Sequence, residues 1–96
     1  MRITKRHLNE LAESLNQQLE EKGSLLRIEV GGRNGYQAAD CYRVDENGER
    51  IGSGVEMNIG CGTSREVCDY CKQWFWIELN HVQEQKIKAL ESMLAK

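Results

Sequence analysis

Cys61, Cys68 and Cys71 are the residues of this chain with the most chemistry to offer. With His81 or Cys41 as a fourth donor they make a soft ligand set of the kind that holds zinc. Their spacing argues against that use. Structural zinc sites draw on two paired ligand sets, whereas here only Cys68 and Cys71 form a pair, and that pair falls inside a helical stretch. Buried cysteine also serves as a plain small apolar side chain. Packed thiols are therefore expected and no cofactor, with Cys61, Cys68, Cys71 and His81 the ligands if a metal is held. A redox role for Cys68 and Cys71 would exploit a thiolate stabilised near a helix N-terminus. Such sites follow a strand in a βαβ unit and lean on a cis-proline, and the chain contains no proline.

Nucleophilic catalysis needs a cysteine or serine beside a histidine. The two histidines, His7 and His81, both stand on polar helical stretches. Carboxylates are plentiful, but they fall on outer helix faces or in turns where solvation accounts for them. Gly60-x-Gly62 ahead of a helix start could cradle a phosphate on backbone amides. The Thr63-Ser64-Arg65-Glu66 run that follows reads as a capping box that takes those first amides itself. No enzyme activity is expected.

These residues sit on elements that the pattern places clearly. Leu8, Leu11, Ala12, Leu15 and Leu19 recur at helical spacing between Thr4, a good N-cap, and Gly23, a good left-handed stop. Leu26, Ile28 and Val30 alternate with Arg27 and Glu29, which predicts a short strand. Gly31-Gly32-Arg33-Asn34-Gly35 predicts a tight reversal. A second strand is expected from Tyr36 to Val44, with Tyr36, Ala38, Tyr42 and Val44 inward. Asp40 is then the misfit, which points to an edge, a hydrogen bond or a bulge. Asp45-Glu46-Asn47-Gly48 predicts a hairpin turn into a third strand from Arg50 to Ile59, ended by Gly60-Cys61-Gly62.

The resulting sheet would expose one face carrying Arg27, Glu29, Gln37, Ala39, Cys41, Arg43, Glu56 and Asn58. A second helix starts at Thr63 and buries Val67, Cys68, Cys71, Trp74, Phe75 and Leu79. The consecutive Trp74-Phe75-Trp76 cannot all face one side, because neighbours on a helix lie about 100° apart. Trp76 then faces the last helix, a second copy of the chain or a partner. Ile87, Leu90, Met93 and Leu94 carry helical spacing onward. One long helix or two consecutive helices fits this segment, with a break near Asn80-His81 preferred.

The chain of 96 residues makes a single α+β domain (1–96), in the order α-β-β-β-α-α or with one long last helix. A domain of this size buries roughly 60 to 65% of its unfolded surface, enough for one modest core. A net charge of -2 and a pI near 5.7 make nucleic acid an improbable partner, since that affinity comes from cations displacing counterions. No window suits a membrane span, and a cytoplasmic location is expected.

Two resemblances bear on function. The element order, with Gly60 to Glu66 as a glycine-rich helix entry, is similar to the double-stranded RNA-binding domain. That family grips phosphates with a lysine-rich helix start, and here Arg65 is the only cation among Thr63, Ser64, Glu66 and Asp69. The hairpin YRVDENGE (Tyr42 to Glu49) and helix start GTSREVCDYCKQW (Gly62 to Trp74) resemble small phage proteins of the anti-CRISPR type. That resemblance implies a cofactor-free inhibitor in the host cytoplasm whose partner is a bacterial defence nuclease. The resemblance supplies no site; from the residues themselves, Asp45, Glu46, Glu49 and Glu56, with Arg43 and Trp76, are the expected partner-binding set, and the C-terminal helices offer a surface for a homodimer. A small zinc-binding interaction domain is the further alternative.

Overall fold

The computed structural model describes residues 3–33 and 35–95. It contains α1 (Lys5–Lys22), β1 (Leu26–Arg33), β2 (Tyr36–Arg43), β3 (Met57–Gly62) and α2 (Ser64–Leu94). The strands form one antiparallel sheet in the order β1-β2-β3, and both helices lie against one face of it.

Helix α1 begins and ends where its caps require. The Thr4 hydroxyl accepts from the His7 amide, and Gly23 adopts φ 85°, its amide closing onto Glu20 and Leu19 carbonyls. Leu8, Ala12, Leu15 and Leu19 form its buried stripe. They meet Ile28 and Ala39 of the sheet and Val67, Cys68, Cys71 and Phe75 of α2 in a single core. Asn16 fastens α1 to β1 through both ends of its amide, donating to the Ile28 carbonyl at 3.0 Å and accepting from the Ile28 amide at 2.7 Å.

Three strand expectations are corrected. First, β1 continues through Gly31, Gly32 and Arg33, pairing as far as Arg33 opposite Tyr36. Gly35 keeps the positive φ of a reversal, while Asn34 lies outside the described residues. Secondly, β2 has the opposite phase to the one expected. Ile28 stands opposite Cys41 and Val30 opposite Ala39, so Ala39 and Cys41 share the helix-facing side with Ile28. Gln37 and Arg43 belong to that side as well. Arg27, Glu29, Ala38, Asp40 and Tyr42 occupy the other. Adjacent Ala38 and Ala39 are both buried and gave the alternation no contrast to register.

Thirdly, the expected third strand over Arg50 to Ile59 is shifted towards the C-terminus. Val44 bridges Arg50, the Ile51 amide reaches the Arg43 carbonyl and the Glu56 amide reaches the Cys41 carbonyl. Between those anchors Gly52 takes φ 69°, a conformation that cannot continue a strand, and Gly52 to Val55 leave the ladder. Regular pairing resumes at Met57 and runs through Gly60, Cys61 and Gly62, which therefore belong to the sheet instead of ending it.

The excursion covers part of the sheet's outer side, which is not bare. Arg50 stacks over the Tyr42 ring at 4.3 Å, pairs with Glu29 at 3.2 Å and donates to the Gly54 carbonyl at 3.4 Å. Ser53 and Val55 line a shallow cleft with Ala38 and Asp40. The Asp40 misfit has its cause here. The register of β2 against β3 shifts between Ala39 and Asp40, and Asn58 Nδ2 donates to Asp40 Oδ1 at 2.9 Å.

Helix α2 is one unbroken helix of 31 residues, about 46 Å long, so the break preferred near Asn80-His81 does not occur. No proline or glycine interrupts it. Across the supposed break, Glu78 bonds Ser24 and Lys86 Nζ donates to the Lys22 carbonyl, tying the middle of α2 to the end of α1. Its length sets the molecule's longest dimension of 55 Å against 30 and 18 Å for the others.

Candidate functional site

The capping box at the start of α2 forms as read from the sequence. Glu66 N donates to Thr63 Oγ1 at 3.2 Å, and Thr63 N donates back to the Glu66 carboxylate at 3.1 Å. These bonds hold the Glu66 carboxyl below the usual carboxylate range. They also fill the place where a phosphate would meet the helix start, and Arg65 stands exposed beside them.

The cysteines separate. Cys61 is exposed on β3, whereas Cys68 and Cys71 are buried on α2 and Cys41 is buried in β2. His81 is exposed on α2. The set Cys61, Cys68, Cys71 and His81 is therefore not brought together, and among the described residues no group of three His, Cys, Asp or Glu side chains gathers. Burial pushes the Cys71 thiol up to about 11, with Cys68 a second cause. Burial likewise raises Cys41, against a lowering hydrogen bond from the Met57 backbone. Because the thiolate is the reacting species, Cys61 alone of the four cysteines should react promptly with a disulfide reagent in the folded protein at pH 8. All of them should react in denaturant. Absorbance titration of released thiolate checks this, and prompt reaction of two thiols in the folded state would refute it.

The acidic turn is built as a rigid tip. Asp45 Oδ1 accepts from Asn47 N at 2.9 Å and Glu49 N at 3.0 Å, and the Asp45 amide donates to the Glu49 carbonyl. Gly48 closes the turn at φ 84°. Glu46 and Glu49 are left exposed. Glu56 pairs with Arg43 at 2.9 Å, so its carboxylate is already engaged. The expected set thus divides into Asp45 as the turn's brace, Glu46 and Glu49 as its exposed charges, Arg43 with Glu56 as an ion pair alongside, and Trp76 on a different element. Trp76 is 63% exposed, with its ring edge-on to Phe75 at 5.8 Å.

Sequence reasoning missed one buried polar junction. Ser24 Oγ donates to Glu78 Oε2 at 2.5 Å and accepts from the Leu26 amide at 3.1 Å. Arg27 Nη1 caps the same corner through the Ser24 and Leu26 carbonyls at 2.7 and 2.8 Å. The signal was present: Glu78 lies three residues after Phe75 and seven after Cys71, in the buried stripe of α2, where an unpaired carboxylate is costly. Beside it a cleft of about 400 Å³ is lined by Leu25, Arg43, Glu78, His81, Val82 and Lys86, among others. On the other flank of α2 a groove of about 560 Å³ runs between Gln18 and Lys22 of α1 and Trp76, Leu79, Asn80 and Gln83 of α2. Among the described residues neither recess places a nucleophile, a base and a third orienting group in bonding contact.

No protein-family model, curated protein or solved structure matches the chain. Among the described residues no helix is long and apolar enough to cross a membrane.

Proposed function

We propose that the chain acts by binding instead of by catalysis, as a phage-encoded inhibitor that occupies the nucleic-acid or partner-binding surface of a CRISPR-type defence nuclease. The observation that carries this reading is the braced acidic tip. Asp45 commits its carboxylate to the turn, so the backbone that carries Glu46 and Glu49 is held and needs little further ordering on binding. Two exposed carboxylates on a stiff projection suit a channel lined with lysine and arginine, where such charges act mainly on the association rate.

Reversing Glu46 and Glu49 together to lysine leaves the Asp45 brace in place. Inhibition of target cleavage by RNA-guided nucleases, assayed with purified protein, should weaken by at least about tenfold. Undiminished inhibition by the folded double variant refutes the acidic-tip reading. A second reading, recognition of duplex RNA, is favoured by the observed element order alone. It predicts a gel shift that fades steeply as salt is raised, and the same protein sample tests it.

A further inference from the structure

One exposed flank of α2 carries an ordered seam whose C-terminal half, Ile87, Leu90 and Leu94, stands beyond the end of α1. Cys71, Phe75, Glu78 and Val82 point towards the body, in or beside the core and the Ser24 corner. Along an exposed flank, Trp76, Asn80, Gln83, Ile87, Leu90 and Leu94 recur at spacings of four, three, four, three and four, the first three also edging the groove against α1. That is the a/d repeat of a two-stranded coiled coil, with Asn80, Ile87 and Leu94 at a and Trp76, Gln83 and Leu90 at d. All six are exposed, Leu90 at 60% and Leu94 at 84%. The last turns of α2, with Met93 exposed as well, are covered by none of the described residues, and a helix of this kind draws most of its stability from packing.

We infer that two copies of this chain associate through α2 as a parallel, two-fold coiled coil along this seam. Three features commit the surface to a second copy in that direction. Parallel pairing matches like with like, giving apolar layers at Ile87, Leu90 and Leu94 and an amide layer at Asn80, the residue type that fixes register and two-strandedness at an a position. Antiparallel pairing would set Asn80 against Leu90 and Gln83 against Ile87.

Charge selects the same direction. Lys86 falls at g and Glu84 and Glu91 at e, so a parallel pair brings Lys86 beside Glu91 of the other copy twice over. An antiparallel pair aligned on the same seam opposes Glu84 to Glu84 and Lys86 to Lys86. Lys86 has three donors and uses one on the Lys22 carbonyl, which holds it at the flank of the seam. Finally, the exposed parts of Trp76, Ile87, Leu90, Met93 and Leu94 supply at most roughly 600 Å² per chain, about 1,200 Å² for the pair, which sets this association at the small, concentration-dependent end of specific interfaces. Gln18 and Lys22 of α1 border the seam at Trp76, Asn80 and Gln83, so the pairing is carried by Ile87, Leu90 and Leu94 beyond the end of α1. This association is independent of the proposed inhibitory role and adds to it a pair of acidic tips on one particle.

Sedimentation equilibrium should show a molar mass rising with concentration from 11.0 kDa towards twice that value. Leu90→Glu should remain folded by circular dichroism, since its side chain touches no core, and should stay monomeric. Direction is read separately in a Cys61→Ser, Leu94→Cys protein. Mild oxidation should link position 94 to itself, while the matching Trp76→Cys, Leu94→Cys protein should give no 76-to-94 link. A wild-type mass fixed at 11.0 kDa overturns the pairing, and a 76-to-94 link overturns its parallel direction.

Discussion

Phe75→Ala is expected to lower the unfolding free energy by about 3 to 5 kcal/mol, while Trp76→Ala next to it changes it by no more than about 1 kcal/mol. The two rings are consecutive on α2, yet Phe75 is 4% exposed within the core and Trp76 is 63% exposed. Removing Phe75 leaves a cavity walled by α1 and α2, which close-packed neighbours refill only in part. Removing Trp76 uncovers mostly surface that was already wet. In a domain whose whole stability is about 5 to 15 kcal/mol, the first change should shift the urea midpoint far down. Both variants belong in a Leu90→Glu background, so that the loss of Trp76 is not read through the association of α2. Equal losses at the two positions would mean that the run Trp74-Phe75-Trp76 is oriented differently from the arrangement described.

The same run shows how far local reasoning reaches into this fold. Helix ends were legible because a cap is decided by residues within one turn: Thr4, Gly23, Thr63 and Glu66 each do what their type and position imply. That one of the two tryptophans must leave the core follows from helical geometry alone. The face of β2 was not legible, because small residues at both Ala38 and Ala39 erase the contrast between sides, and tyrosines at Tyr36 and Tyr42 suggested burial that the sheet does not give them. Tyr36 is exposed, and Tyr42 lies beneath Arg50. Nothing local announced that Arg50 would fold back, since its partners Tyr42 and Glu29 come from two other strands.

The acidic tip was visible as a turn, but its division of labour was not. Which of Asp45, Glu46 and Glu49 braces the loop depends on amide positions that only the folded turn supplies. Likewise, the unbroken α2 could not be told from a helix pair until Glu78 and Lys86 were seen to cross the junction. The seam on its exposed flank lay in the sequence throughout, hidden while a break at Asn80-His81 divided it.

Gly60→Ala is expected to cost about 2 kcal/mol, and Tyr70→Ala should rescue most of that loss. Gly60 lies in β3 opposite Ala39, on the side that α2 covers. A Cβ at this position would stand 2.3 Å from Tyr70 Cδ2 and 2.7 Å from Cγ. The inner ring atoms are held by the helix backbone and cannot swing aside as the end of a lysine could, so either α2 lifts from the sheet or the ring abandons its rotamer. The clash with Tyr70 is what a side chain at this position would have to overcome. The Gly60 backbone lies outside the left-handed region, so alanine is otherwise acceptable there and gains by restricting the unfolded chain. A double-mutant cycle by urea denaturation should therefore give a coupling of about 1 to 2 kcal/mol, with Gly60→Ala nearly neutral once Tyr70 is alanine. Additive losses would show that α2 does not approach β3 this closely.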